Sequence, residues 1–380
     1  MIKLISDINI RCVGNDRYRI HDNTIRAHSL AIDTPFAAVD SDKHTITGYF
    51  VLKEYVINGW SLVCPVDCNT VKKFINTLTE PESMYITIKR YFAKWARETD
   101  AKNFVVGISG GKDSTVVAML LCAIFGKERV HGVLMPQGEQ RDIKDSFDIV
   151  NMLGISYSVI NIKESVRAIT DQLWDRRTCD DVYPTKDMEV NLPARIRMAT
   201  LHAVGQCING RVINTSNLSE DMVGYATQFG DNAGAYAPIQ GLTVTEVKSL
   251  GAYLIRLLHT GKQLNAYVQR KEKNPETGIW IETMGDPVRR LAELVDKVPV
   301  DGLQAQTDEE RLGFTYDQLD RFIRKNEGTE EFKEMIRKKY KQNKFKLDIV
   351  QMPQPDFSFL PNFVKIDNCA KTLLAANIVS

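Results

Sequence analysis

Phe104-Val105-Val106-Gly107-Ile108-Ser109-Gly110-Gly111-Lys112-Asp113-Ser114 leads out of one apolar stretch, through two glycines, towards another, Val116 to Phe125. The first stretch reads as a buried strand and the second as a helix, so the glycines mark a strand-to-helix turn. Such a turn builds an anion site. Consecutive glycines let the backbone fold with its N–H groups pointing inward, the helix offers the positive end of its dipole, and Ser109 and Ser114 add hydroxyl donors for phosphate oxygens. Asp113 would repel a phosphate unless a cation lies between them, which makes it a magnesium ligand and the phosphate part of a nucleotide. The spacing does not fit the P-loop G-x-x-x-x-G-K-[ST]. Gly107 to Gly111 is one residue short, and Asp113 stands where Ser or Thr would hold magnesium.

Around this loop, strands and helices alternate. A helix is expected over Met84 to Thr99, strands over Val130 to Met135 and Ile155 to Ile162, and a helix between them over Ile143 to Met152. A further helix is expected over Asn191 to Ile208, with Asn191 as cap and Pro193 in the first turn, followed by a strand over Arg211 to Thr215. Alternation of this kind predicts an α/β fold with a doubly wound parallel sheet, whose ligands bind beyond the carboxyl ends of the strands. Residues 1–80 differ: short β-rich runs, Thr45 to Leu52 and Tyr55 to Cys64, point to a small accessory domain. Residues 81–270 are expected to form the nucleotide-binding core and 271–380 a helical C-terminal part with its tail.

At 380 residues the chain has ample length for a buried core and additions. A net charge of +1 gives no basic field, so nucleic acid is not an expected partner. Val116 to Phe125 is half the length needed to span a bilayer, so no membrane partner is expected, and Met1-Ile2-Lys3 opens no signal pattern. Seven scattered cysteines suit a reducing compartment, and a cytoplasmic enzyme is the expectation. Cys64 and Cys68 lack a second pair or a nearby histidine and carry no zinc assignment.

The loop resembles the S-G-G-x-D-S turn of the ATP pyrophosphatases, enzymes that split ATP between its α and β phosphates. Further segments narrow the resemblance. They are Met135-Pro136-Gln137-Gly138-Glu139-Gln140, Pro193-Ala194-Arg195-Ile196-Arg197-Met198, Asn214-Thr215-Ser216-Asn217-Leu218-Ser219-Glu220 running on to Phe229-Gly230-Asp231, and Thr307-Asp308-Glu309-Glu310 to Asp320. In that order they resemble the NAD synthetases, over roughly residues 84 to 350. The resemblance implies an adenine nucleotide α-hydrolase-like fold and ATP-dependent amidation: the carboxylate of deamido-NAD attacks the α-phosphate, pyrophosphate leaves, and ammonia displaces AMP.

By the same resemblance, Gly107, Ser109, Gly110, Gly111, Asp113, Ser114, Gln140 and Thr215 bind ATP, and Asp113 and Glu220 hold Mg2+. Arg195, Asp231 and Lys346 bind deamido-NAD. Asp113 and Asp231 are the catalytic candidates, Asp231 as acceptor of a proton from ammonium or as a group that orients the dinucleotide. A homodimer is implied. About 80 residues before the core are too few for the glutaminase domain of glutamine-dependent members, so ammonia, free or supplied by a separate enzyme, is the expected donor. Thr243 and Glu246 form a capping box and are assigned no chemistry. Some positions depart from the family pattern. Asn214 replaces a small residue, Val244 a lysine that reaches ATP, with Lys248 a candidate replacement, Ala235 an aspartate, and Val300-Asp301 a Ser or Thr followed by Ala. These departures keep open a ligase for another carboxylate or an ATP-binding sensor.

Overall fold

The computed structural model describes residues 3–6, 10–12, 18–21, 35–40, 45–53, 60–65, 80–140, 143–175, 183–273, 280–297, 307–349, 351–357, 360, 362 and 364. Val300-Asp301, Cys68 and residues 55–59 of the second N-terminal run lie outside them. The chain forms two compact units, Met1–Ile86 and Thr87–Ser380. The first unit carries a six-stranded sheet of order β1-β4-β5-β6-β3-β2, made of β1 (Lys3–Ser6), β2 (Ile10–Cys12), β3 (Tyr18–His21), β4 (Pro35–Asp40), β5 (Thr45–Leu52) and β6 (Trp60–Pro65). All its pairings are antiparallel except β1 with β4. Strand β5 matches the bounds expected from its β-branched and aromatic residues.

In the second unit, β7 (Asn103–Gly107), β8 (Val130–Leu134), β9 (Ser156–Val159) and β10 (Gly210–Val212) form a parallel sheet of order β10-β7-β8-β9. Alternation along the strands sorts side chains between the two faces. Val105, Val133 and Val212 pack with Leu201, Val204 and Ile208 of the helix Lys186–Cys207 and its end. Phe104 points the other way, 5.6 Å from Phe92 and 4.3 Å from Phe125 between ring centroids, and Phe92 stacks on Tyr236 at 4.3 Å. The helix Lys112–Phe125 is apolar nearly all round because it lies between the sheet and the helices Val244–Thr260 and Pro287–Asp296. A second core joins the C-terminal helices Tyr316–Lys325 and Glu330–Asn343 to Leu218, Met222 and Val244.

The strand order positions the site. The chain moves from β7 to β8 to β9 on one side and then returns to add β10 on the other side of β7. The reversal falls between β7 and β10, and a crevice opens there at the carboxyl ends of both strands. The glycine loop leaves β7 and the Asn214–Glu220 segment leaves β10, so two motifs roughly 100 residues apart in the chain meet in space. Beyond the sheet, β11 (Tyr267–Lys273) and β12 (Trp280–Gly285) form an antiparallel pair.

Two expected helix starts are corrected: the helix expected over Met84 to Thr99 spans Glu80–Glu98, and the helix expected from Asn191 starts earlier in the chain. The helix begins at Lys186, not Asn191: Thr185 is its cap, accepting from Met188 N, with Asp187 and Glu189 in the acidic first turn. Pro193 therefore lies inside the helix, and Asn191 donates to Asp187 O from the first turns. Among the described residues no helix is long and apolar enough to cross a membrane.

Candidate active site

Gly110 has φ +84°, in the left-handed region, and a Cβ there would lie 2.9 Å from the Asp145 Cβ, so both conformation and space require glycine. The turn is held by its own serines. Ser109 Oγ lies 3.1 Å from Ser114 Oγ, Ser109 N donates to Ser114 Oγ, and Gly111 N donates to Ser109 Oγ. No side chain caps the helix that starts at Lys112, which leaves its positive end facing the crevice.

The crevice is a cleft lined by Ser109, Gly111, Asp113, Ser114, Thr215, Ser216, Glu220 and Asp231. All but Ser216 are among the candidates read from the sequence. Gly107, at the end of β7, instead approaches Met135 and Leu201. Gln140 closes the loop after β8, where its carbonyl accepts from Ile143 N, and it does not line the cleft. Arg195 is exposed and donates from Nε to Gln228 O, beside the segment that ends in Asp231.

Two residues that the sequence reading passed over organise the floor. Lys112, only 3% exposed, donates from Nζ to Asp113 Oδ2 at 2.9 Å and to Glu220 Oε1 at 3.2 Å. Burial would lower the Lys112 pKa, but the two carboxylates outweigh it and hold the ammonium above the ordinary lysine range. For Glu220 burial raises the carboxyl, Lys112 opposes the rise, and Asp113 adds to it; the net direction is upward. Asn217 is the second missed residue. Its Oδ1 caps the helix Leu218–Val223 by accepting from Glu220 N, while its Nδ2 donates to Asp113 Oδ1 at 3.2 Å. The cap position before Leu218 was a readable signal; its bond to Asp113 was not.

Asp231 closes the other wall. Its Oδ1 accepts from Thr227 N at 2.6 Å, and although the residue reaches solvent at the cleft, the protein packed around the carboxyl raises its pKa against that hydrogen bond. Asn214 works as a structural tie. Its Nδ2 donates to Asp231 O at 2.9 Å and Ala233 O at 3.3 Å, and its Oδ1 accepts from Ser216 N. These bonds join the two segments of the cleft. Lys346 donates from Nζ to Gly224 O and Ala226 O, at the base of the same loop, and its carbonyl accepts from Asn232. Lys248 is directed away, to Asp296 O.

The chemistry available is that of a polyphosphate site. Backbone and hydroxyl donors sit on one side, a buried ammonium on the floor, and two carboxylates converge within reach of one point. No group of three or more metal-binding side chains occurs among the described residues. Two hard oxygen donors in an open cleft still fit magnesium, which keeps water and takes phosphate oxygens for most of its shell.

Comparison with known proteins gives the family. Residues 84–270 match the NAD synthase family model. The NH(3)-dependent NAD(+) synthetase of Thermococcus kodakarensis is 33% identical over 237 residues, covering 62% of this chain and 78% of the relative. The chain belongs to the NAD synthase family. A second relative of the same description, from Carboxydothermus hydrogenoformans, is 30% identical over 258 residues, 68% of this chain and 91% of its own. Among solved structures, NMN synthetase from Francisella tularensis superposes with a TM-score of 0.56 at 26% identity, covering 72% of this chain and 98% of that one. The family's α/β fold, with its helical C-terminal region, is the fold described above.

Proposed function

We propose that this protein is a ligase that converts deamido-NAD to NAD+ at the expense of ATP, with release of AMP and pyrophosphate. The observation that carries the reading is the convergence of the glycine loop, Asp113, Thr215, Glu220 and Asp231 on one cleft, in a chain of this family. The bond making proposed is the one that the family resemblance implies. An oxygen of the pyridine carboxylate attacks the α-phosphorus, the bond to the bridging oxygen breaks, and pyrophosphate leaves. Ammonia then adds to the acyl carbon, AMP departs with the former carboxylate oxygen, and one proton must be taken from the nitrogen.

Each side chain has a role in those steps. Ser109, Gly111 and Ser114 donate to the β and γ phosphates and stabilise charge as it collects on the leaving group, while Gly110 makes the turn possible and Gly107 its close packing. Thr215 binds ATP within the cleft, and Gln140, outside the cleft lining, is an ATP contact by resemblance to the family alone. Asp113 and Glu220 would hold Mg2+, whose charge would offset that of the phosphates as the anionic carboxylate approaches. Asp231, with a raised pKa, accepts the proton released from nitrogen, and Arg195 and Lys346 support the dinucleotide beside it. The fit of Lys346 is conditional on its ammonium leaving the Gly224 and Ala226 carbonyls.

Ammonia is the nitrogen donor in this reading, supported by the names of the relatives, and a separate enzyme could supply it. A homodimer and a cytoplasmic setting complete the proposal. The test is an endpoint assay of the full chain with ATP, Mg2+, deamido-NAD and ammonium. NAD and AMP formed in equal amounts is the expected result. Turnover with nicotinate mononucleotide and none with deamido-NAD would move the substrate to the smaller carboxylate suggested by the Francisella likeness. ATP binding without either product would make the protein a sensor.

A further inference from the structure

Lys112 occupies the variable position of the S-G-G-x-D-S turn, and its ammonium lies where the two proposed metal ligands meet. Two of its three N–H donors are used by Asp113 and Glu220. The ring of Tyr316 lies 5.5 Å from the same nitrogen, and among the described residues the buried Tyr316 hydroxyl has no hydrogen-bond partner, so the tyrosine offers the lysine its π face rather than its oxygen. Val244, only 2% exposed, belongs to the same apolar cluster as Tyr316. Lys248 and Lys346 are bonded to carbonyls elsewhere. Among the described residues Lys112 is the one cation in an ion pair with Asp113 or Glu220.

We propose that Lys112 is the resident counter-ion of the Asp113–Glu220 pair in the nucleotide-free protein, and that it transfers to the phosphates when a divalent cation takes over the carboxylates. The inference rests on the nucleotide reading of the cleft and deepens it. Metal alone is a poor competitor, because displacing Lys112 leaves a buried ammonium beside a divalent cation with no anion to receive it. Nucleotide alone is also disfavoured, because its phosphates approach two carboxylates that share a single positive charge. With both present, each charge finds a partner. The result is synergy: metal tightens nucleotide binding and nucleotide tightens metal binding by the same factor.

The experiment is a Mn2+ titration of the full chain followed by electron paramagnetic resonance, with and without α,β-methylene-ATP, on the wild type, Lys112→Met and Lys112→Gln. For the wild type, Mn2+ alone should bind at least tenfold more weakly than in the presence of the analogue. In both variants Mn2+ alone should bind about tenfold more tightly than in the wild type, and the analogue without metal about tenfold more weakly. The nucleotide-free variants should also melt at a lower temperature than the wild type and recover on adding Mg2+. Folded variants whose Mn2+ affinity is unchanged or weaker overturn the inference while leaving the cleft reading intact. If neither variant folds, the wild type decides alone: Mn2+ binding equally tight with and without the analogue overturns it. A wild type that binds neither Mn2+ nor the analogue overturns both the inference and the cleft reading.

Discussion

Asp113→Ala is expected to lower the rate of NAD formation by about 1,000-fold or more while leaving the protein folded. Removing one of two carboxylates from the metal position strips the bound ATP of charge neutralisation in both states that matter, substrate approach and pyrophosphate departure, and each tenfold in rate corresponds to about 1.4 kcal/mol. The fold survives for an electrostatic reason. Lys112 now balances two carboxylates, so after the substitution it still pairs with Glu220 and no buried charge is left alone. The Asn217 amide loses its Asp113 acceptor, but its other contact, capping Glu220 N, is unchanged. Steady-state kinetics together with a thermal melt check the claim. A variant with a wild-type melting temperature and a rate within tenfold of the wild type would remove Asp113 from the chemistry.

Arg324→Met costs about 3–5 kcal/mol of stability, the effect of leaving a buried carboxylate unpaired. Arg324 donates from Nε to Glu246 Oε1 and from Nη2 to Glu246 Oε2, both at 2.7 Å, and also from Nη2 to Gly241 O. Their side chains are 11% and 8% exposed. Glu246 also accepts from Thr243 N, closing the capping box of the helix Val244–Thr260, and that helix packs on Lys112–Phe125, whose start is the phosphate loop. Removing the guanidinium therefore strikes the helix that supports the site. A fall in melting temperature of about 10 °C is expected for a unit of this size. The double variant Arg324→Met, Glu246→Gln should recover part of the loss, because no unpaired charge remains. A fall of less than about 2 °C would mean that the pair contributes little beyond its packing.

The parts of the site that were legible in the sequence are those encoded locally. Ser109 to Ser114 read as an anion turn because glycines, hydroxyls and a following apolar helix are contiguous, and Thr243 with Glu246 read as a capping box for the same reason. The capping box is present in full. Strand alternation pointed to the parallel sheet, and the reversal of strand order then brings the second motif to the first. Lys112 was not legible. Its position in the motif is open to any residue, and its role arises only when Glu220, 108 residues away, closes over it. Asn191 misled because Pro193 suggested a first turn, whereas Thr185 and the acids after it define the real start. In the first unit, the parallel pairing of β1 with β4 joins strands about 30 residues apart and leaves no local signal.

The departures at Asn214 and Val244 have a physical reading. Asn214 uses its longer side chain to lace Ser216 to the loop carrying Asp231, a connection no glycine could make. Val244 belongs to the apolar cluster that includes Tyr316, and the ammonium on the cleft floor is that of Lys112. The cleft keeps a positive charge, but on the phosphate loop itself.

Activation of the carboxylate by transfer of AMP to its oxygen is the central claim, and one measurement tests it most directly. Deamido-NAD labelled with 18O in the pyridine carboxylate is turned over with unlabelled ATP, Mg2+ and ammonium, and the products are analysed by mass spectrometry. Transfer of AMP to the carboxylate oxygen places one labelled oxygen in the phosphate of AMP, leaves one in the amide carbonyl of NAD, and puts none in pyrophosphate. Label in inorganic phosphate alongside ADP, or AMP free of label, would contradict it.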